Sequence, residues 1–250
     1  MGKKLEVNKE ELIATLKHSS LPTILVEGKT DIKIYRWLEM DLNYDNNIQV
    51  DILPCGNRDI LLDVYTELSN NRNLIFVADK DKYVYTNTIP KQYQNVIFTN
   101  GYSIENDLFH GGKYIKEWFD RDDQELFFQL LNEYIVYYAT VLEKWINNQN
   151  NDFEIKTPYH VLDEKNNHLK YEFLPKIHPS QNTIDYLKKG YDLLIQGHAL
   201  FMLISKVLNR SDRVSKPNND SVYEACYKSY ESESIKVLKH KIKQRLTHIK

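Results

Sequence analysis

The chain has 250 residues, 42% of them hydrophobic and 27% charged, with 33 Lys and Arg against 35 Asp and Glu for a net charge of -2. That size supports one large domain or two small ones, and the few Gly and Pro exclude a disordered or fibrous chain, while the charge excludes a protein that coats nucleic acid with its whole surface. No apolar run approaches a membrane span and no apolar signal region follows Met1-Gly2-Lys3-Lys4, so a cytoplasmic protein without a membrane partner is expected; Cys55 and Cys226 are too few for a disulfide framework and read as free thiols.

Short β-branched or aromatic runs at Thr23 to Val26, Ile48 to Leu53, Leu74 to Val77 and Val96 to Phe98 predict strands. Between them, Asp31 to Met40 carries Ile32, Tyr35 and Leu38 at helical spacing, and Asn57 to Leu68 carries Ile60, Leu61, Val64 and Leu68. Such alternation predicts an α/β domain over residues 1–110: a parallel sheet flanked by helices, with ligands bound beyond the carboxyl ends of its strands. Residues 111–250 read as an appended, mainly α-helical C-terminal region for partner binding, dimerisation or substrate contact. Gln124 to Asn147 predicts one long helix. Tyr159 to Phe173 predicts a hairpin turning at Asn166-Asn167, Asn182 to Asn209 one or two helices, and Ser211 to Asp220 a loop. Lys236 to Lys250 predicts an amphipathic helix whose basic face, with Lys236, Lys239, Lys241, Lys243 and Arg245, is either solvated or in contact with phosphate.

Acidic residues close three of the predicted strands: Glu27 after Ile24-Leu25-Val26, Asp79 and Asp81 after Val77-Ala78, and Glu105 after Ser103-Ile104. On extended backbone Asp79 and Asp81 would project to one side, where both approach one cation. Mg²⁺ takes oxygen ligands at ~2.1 Å, commonly one or two carboxylates with waters and phosphate oxygens, which suits a phosphate-handling site. The competing reading makes these acids helix caps or solvated loop ends, Asp31 and Asp81 above all. Gly28-Lys29-Thr30 looks like the tail of a phosphate-binding P-loop, but that motif needs a glycine where Thr23 stands, and Glu27 would face the phosphate with like charge.

Val26-Glu27-Gly28-Lys29-Thr30-Asp31 resembles the glutamate motif of Toprim domains, and Ala78-Asp79-Lys80-Asp81 resembles their DxD motif. Gly101-Tyr102-Ser103-Ile104-Glu105-Asn106 is similar to the further acidic motif of the OLD-like branch. Ile195-Gln196-Gly197-His198-Ala199-Leu200-Phe201-Met202-Leu203-Ile204 resembles a segment of stand-alone Toprim proteins encoded beside ABC-type ATPases in bacterial defence loci. The likeness of the Toprim motifs covers residues from about 20 to 110.

The resemblance implies a Toprim-like sheet and a Mg²⁺-dependent endonuclease, with Mn²⁺ as a substitute ion, acting on DNA or RNA, tRNA included. It implies an anti-phage role under an ABC-type ATPase partner, and a homodimer is a further expected assembly. Glu27 would serve as general acid or base or as a metal ligand. Asp79 and Asp81 would bind metal, with Glu105 and Asp31 assisting a second ion about 3.5 to 4 Å from the first. Lys29 or Lys80 would neutralise developing charge or simply be solvated, and His198 would contact the scissile phosphate or pack within its apolar helix. The alternative is a non-catalytic Toprim-fold subunit that docks on an ATPase complex.

Overall fold

Two runs of the chain are apolar without interruption, Thr23-Ile24-Leu25-Val26 and Leu74-Ile75-Phe76-Val77-Ala78, and both are buried along their whole length. Strands covered on both faces have this composition. The computed structural model of the protein describes residues 9–28, 32–46, 49–148 and 153–249. In chain order its elements are α1 (Lys9–His18), β1 (Thr23–Val26), α2 (Ile32–Asn46), β2 (Asp51–Pro54), α3 (Arg58–Leu68), β3 (Leu74–Ala78), α4 (Tyr83–Thr86), β4 (Ile97–Phe98) and α5 (Ile104–Phe109). There follow α6 (Lys113–Trp118), α7 (Arg121–Asn147), α8 (Pro158–Val161), α9 (Gln181–Lys189), α10 (Tyr191–Leu194), α11 (Gly197–Leu208), α12 (Asn219–Ser229) and α13 (Glu233–Thr247).

The chain forms two compact units, Met1–Asp107 with Glu231–Lys250, and Leu108–Tyr230. The first is an α/β unit whose parallel sheet has the order β2-β1-β3-β4, with β1 registered on β2 from Thr23 opposite Asp51 and on β3 from Thr23 opposite Leu74. Side chains alternate across a strand, so Leu25, Phe76, Ala78 and Phe98 fall on one face. They share a core with Ile13 and Leu16 of α1 and with Leu61, Val64, Tyr65 and Leu68 of α3. Each fully buried Leu or Phe there contributes roughly 1.5–3 kcal/mol of transfer free energy. Tyr65 meets Phe76 edge to face at 5.1 Å between ring centroids. Helix α13 packs against α2 and β4. The terminal helix, expected in the helical region, therefore belongs to the sheet-bearing unit.

The second unit is helical. Its long α7 buries Phe127, Leu130, Leu131, Tyr134, Tyr138 and Leu142 and packs with α8, α9 and α11. Asp120 caps α7 by accepting from the Asp123 N–H at 2.8 Å. The Asp123 carboxylate is buried and pairs with Arg213 and, at 3.3 Å, with Arg210.

The predicted strands, α3 and α7 are found within a few residues of their expected bounds; α2 is longer than expected, and Ile48 lies outside the described residues. The predicted hairpin is cut to its tip, where the Asp163 N–H donates to the His168 carbonyl at 2.8 Å and the Lys170 N–H to the Val161 carbonyl at 2.9 Å. Only the bridge Leu162 to Leu169 pairs across the turn, because Pro158 opens the short helix α8 before it and a 3-10 turn, Tyr171–Phe173, follows it. The stretch from Asn182 to Asn209 holds three helices, broken at Gly190 and at Ile195-Gln196. Among the described residues no helix is long and apolar enough to cross a membrane.

Candidate functional site

In the order β2-β1-β3-β4 the chain leaves β1 toward opposite sides of the sheet, which makes the gap between the carboxyl ends of β1 and β3 the switch point where open α/β sheets place their ligands. Glu27 directly follows β1 and Asp79 directly follows β3. The two ends are tied together, since the Glu27 Oε1 accepts the Asp79 backbone N–H at 2.9 Å.

Arg58 fills the space between these acids. The ladder beyond β1 continues through Cys55, whose N–H donates to the Val26 carbonyl at 2.8 Å, and Gly56, whose N–H donates to the Glu27 carbonyl at 2.8 Å. Gly56 has φ +112, a conformation that glycine alone adopts readily, and it turns the chain into α3. Asn57 then caps α3 by accepting the Ile60 N–H at 2.9 Å. Arg58 is thus the first residue of a fixed helix. Its guanidinium donates to the Asp79 carbonyl at 3.0 Å, pairs with the Asp81 carboxylate, and lies 3.8 Å from the Glu27 Oε1. It also lies 5.1 Å from the Tyr83 ring centroid, within cation-π reach.

Asp79 and Asp81 do not sit side by side on extended backbone. The strand ends at Ala78, and Asp81 adopts a left-handed φ of +47, held by its N–H donating to the Tyr102 carbonyl at 2.7 Å. A left-handed residue turns its neighbours' directions, so the carboxylates meet different partners: Asp81 meets Arg58, while the Asp79 Oδ1 accepts the Ile104 N–H of α5 at 3.0 Å. Burial pushes the Asp81 carboxyl above the ordinary aspartate value, and Arg58 opposes that rise. Burial lowers the Arg58 pKa, but Asp81 and Glu27 outweigh it and the net shift is upward. The guanidinium stays charged.

Glu105 is buried on the first turn of α5, where its carboxylate accepts the Ser103 hydroxyl at 2.6 Å. The Asn106 side chain accepts the Ser103 N–H at 3.0 Å, and the Asn106 N–H donates to the Ser103 carbonyl at 3.0 Å. His198 belongs to the second unit, on the first turn of α11, with its side chain exposed rather than packed in the apolar helix. Lys29 and Asp31 lie outside the described residues. The Lys80 ammonium donates to the Asn100 carbonyl at 2.8 Å.

Two members of the constellation were missed in the sequence. One is Arg58, signalled only by its place after the β2 run. The other is Asp107, fully buried, whose carboxylate accepts the N–H groups of Asn100 at 2.9 Å and Gly101 at 2.7 Å and so shapes the loop that faces Asp79-Lys80-Asp81.

Among the described residues no three Asp, Glu, His or Cys side chains form a metal-ligating cluster. The donor chemistry still suits a hard divalent ion: the available ligands are carboxylate oxygens from two adjoining strand ends, and Glu27 and Asp81 already face one positive charge, that of Arg58. No model of a known protein family matches the chain, and no curated protein matches it.

Proposed function

We propose that the protein is a Toprim-like, OLD-branch phosphodiester hydrolase, a Mg²⁺-dependent nuclease acting on DNA or RNA. The observation that carries this reading is the position where Glu27 and Asp81, from two different strand ends at the sheet's switch point, hold a positive charge between them with Asp79 alongside. Glu27, Asp79 and Asp81 would hold the ion, which when bound neutralises charge on the oxygens of a phosphodiester.

The chain's own groups account for the rest of the chemistry. The Asp79 N–H and Arg58 orient the Glu27 carboxylate, which accepts the proton of an attacking water. As the water oxygen bonds to phosphorus and the bond to the leaving oxygen breaks, that oxygen taking a proton from solvent, Arg58 would exchange Asp81 for the substrate and offer its N–H donors to the phosphoryl oxygens. The Ile104 N–H fixes the Asp79 side chain. The likeness of the Ile195 to Ile204 segment to stand-alone Toprim proteins encoded beside ABC-type ATPases is the ground for control by a separate ATPase in an anti-phage setting, and with Thr23 where a P-loop needs glycine, Gly28-Lys29-Thr30 does not complete that nucleotide-binding motif.

The Arg58–Asp81 ion pair favours a second reading, in which the acids are sealed as a structural ion cluster and the fold serves only to dock on an ATPase complex. Cleavage of labelled DNA and tRNA in Mg²⁺ or Mn²⁺ by wild type and Glu27→Gln separates the two. The nuclease reading expects cleavage that the substitution removes; the docking reading expects no difference.

A further inference from the structure

Helix α13 turns Ile235, Leu238, Ile242 and Leu246 into the first unit. Lys241, Gln244, Arg245 and His248, spaced by three and four residues, form one exposed stripe on or just beyond it. Two clefts open along that stripe. The larger, of about 750 Å³, reaches from Lys80 and Asn87 past the edge strand β4 to Lys241, Gln244, Arg245 and His248. The smaller, of about 410 Å³, shares Arg245 and His248 and extends to Arg72.

Neither cleft is lined by an acidic side chain among the described residues, although acids outnumber Lys and Arg in the chain by 35 to 33. Two other cations of the helix are neutralised: Lys239 pairs with Asp41 and Glu231, and Lys236 lies 3.7 Å from Glu233. Lys241 and Arg245 have no carboxylate partner among the described residues. Lys80 and Lys241 line the same cleft, where their like charges repel. An anion entering there would stabilise both.

We propose that the two adjoining clefts form a groove for the phosphodiester backbone of a polynucleotide, with Lys80, Lys241 and Arg245 contacting phosphates. Cations spread over two clefts that share Arg245 match a chain of phosphates better than a single one. The groove begins at Lys80, the residue between Asp79 and Asp81 in the chain. The identity of the ligand rests on the nuclease reading above; the basic groove itself does not.

The test is fluorescence anisotropy of the full chain with labelled single-stranded RNA, labelled single-stranded DNA and a labelled polyglutamate peptide, all in EDTA so that binding is read without cleavage. Lys241→Glu with Arg245→Glu is expected to weaken oligonucleotide binding by about tenfold or more and to flatten the plot of log affinity against log salt by about 1.4, at about 0.7 per lost contact. Both side chains are exposed, so folding is spared; circular dichroism checks this, and the milder Lys241→Gln with Arg245→Gln is expected to give an intermediate loss. The exposed pair Lys188→Glu with Lys189→Glu on α9 is the charge-matched control and is expected to leave binding unchanged. Indifference to the α13 substitutions, an equal loss in the control, or preference for the acidic peptide would overturn the groove. If Glu27→Gln ends cleavage while binding stays indifferent to Lys241 and Arg245, the nuclease reading stands and the groove falls. If binding depends on them and the wild type never cleaves, the groove stands and the nuclease reading falls.

Discussion

Arg58 and Asp81 form a half-buried ion pair at the carboxyl end of the sheet, with side chains 21% and 35% exposed, and the Glu27 carboxylate stands 3.8 Å from the same guanidinium nitrogen. The arginine thus supplies the counter-charge that the strand-end acids require. An ion bound as proposed would compete with the guanidinium for the same carboxylates.

Arg58→Met tests that competition. Removing the cation leaves Asp81 and Glu27 facing each other's field and is expected to cost about 2 kcal/mol in urea denaturation. Added Mg²⁺ should then raise the melting temperature of the variant more than that of the wild type, because a ligand that binds only the folded state stabilises it. Equal Mg²⁺ responses in the two proteins would contradict a shared cation position.

Asp107→Asn examines the loop that faces the DxD segment. The carboxylate accepts two backbone N–H groups, from Asn100 and Gly101, whereas an amide has one oxygen and must turn an NH₂ toward the other donor. A loss of about 2 kcal/mol is expected by chemical denaturation, since the group is fully buried. A stability equal to wild type would show that the loop does not depend on this anchor.

Cys55 and Cys226 are free and buried, and burial pushes both thiols from 9.0 up to about 12, Glu27 adding to the effect at Cys55. A group whose folded pKa is raised contributes stability that is complete below its unfolded pKa and is lost as pH climbs through the folded one. Melting temperatures should therefore decline between pH 9.0 and about 12. A disulfide reagent at neutral pH should find neither thiol in the native protein and both in denaturant. Rapid native labelling of Cys55 would contradict its placement beneath the site.

The strands β1 and β3, helix α3 and helix α7 were legible because their apolar residues keep a clean period or an unbroken run. Helix α1 was not read, since its apolar residues Leu12, Ile13, Ala14 and Leu16 fall within five positions and span too little of the helix to set a period. In α12, Val222, Cys226 and Tyr227 are buried amid polar neighbours, which hides the pattern in the same way. Glu27 and Asp79 were legible as strand-end acids. The role of Asp81 was not, because an aspartate only occasionally adopts left-handed backbone, and here it is held there by the Tyr102 carbonyl, a partner distant in sequence. Arg58 carries no motif of its own; the Gly56 turn and the Asn57 cap that start α3 bring it to the acids. The exposed His198 shows the opposite limit: a motif fixes which residue stands there, while burial is decided by neighbours distant in sequence.

The most direct measurement is the rate of cleavage of end-labelled tRNA and DNA by wild type and Glu27→Gln, in Mg²⁺, in Mn²⁺ and in EDTA. Glutamine keeps an oxygen for the Asp79 N–H and removes the proton acceptor, so folding should survive while the rate falls by about 10²–10⁴-fold. Metal-dependent product from the wild type and its loss in the variant is the predicted result; equal product from the two proteins, or product that persists in EDTA, would contradict it.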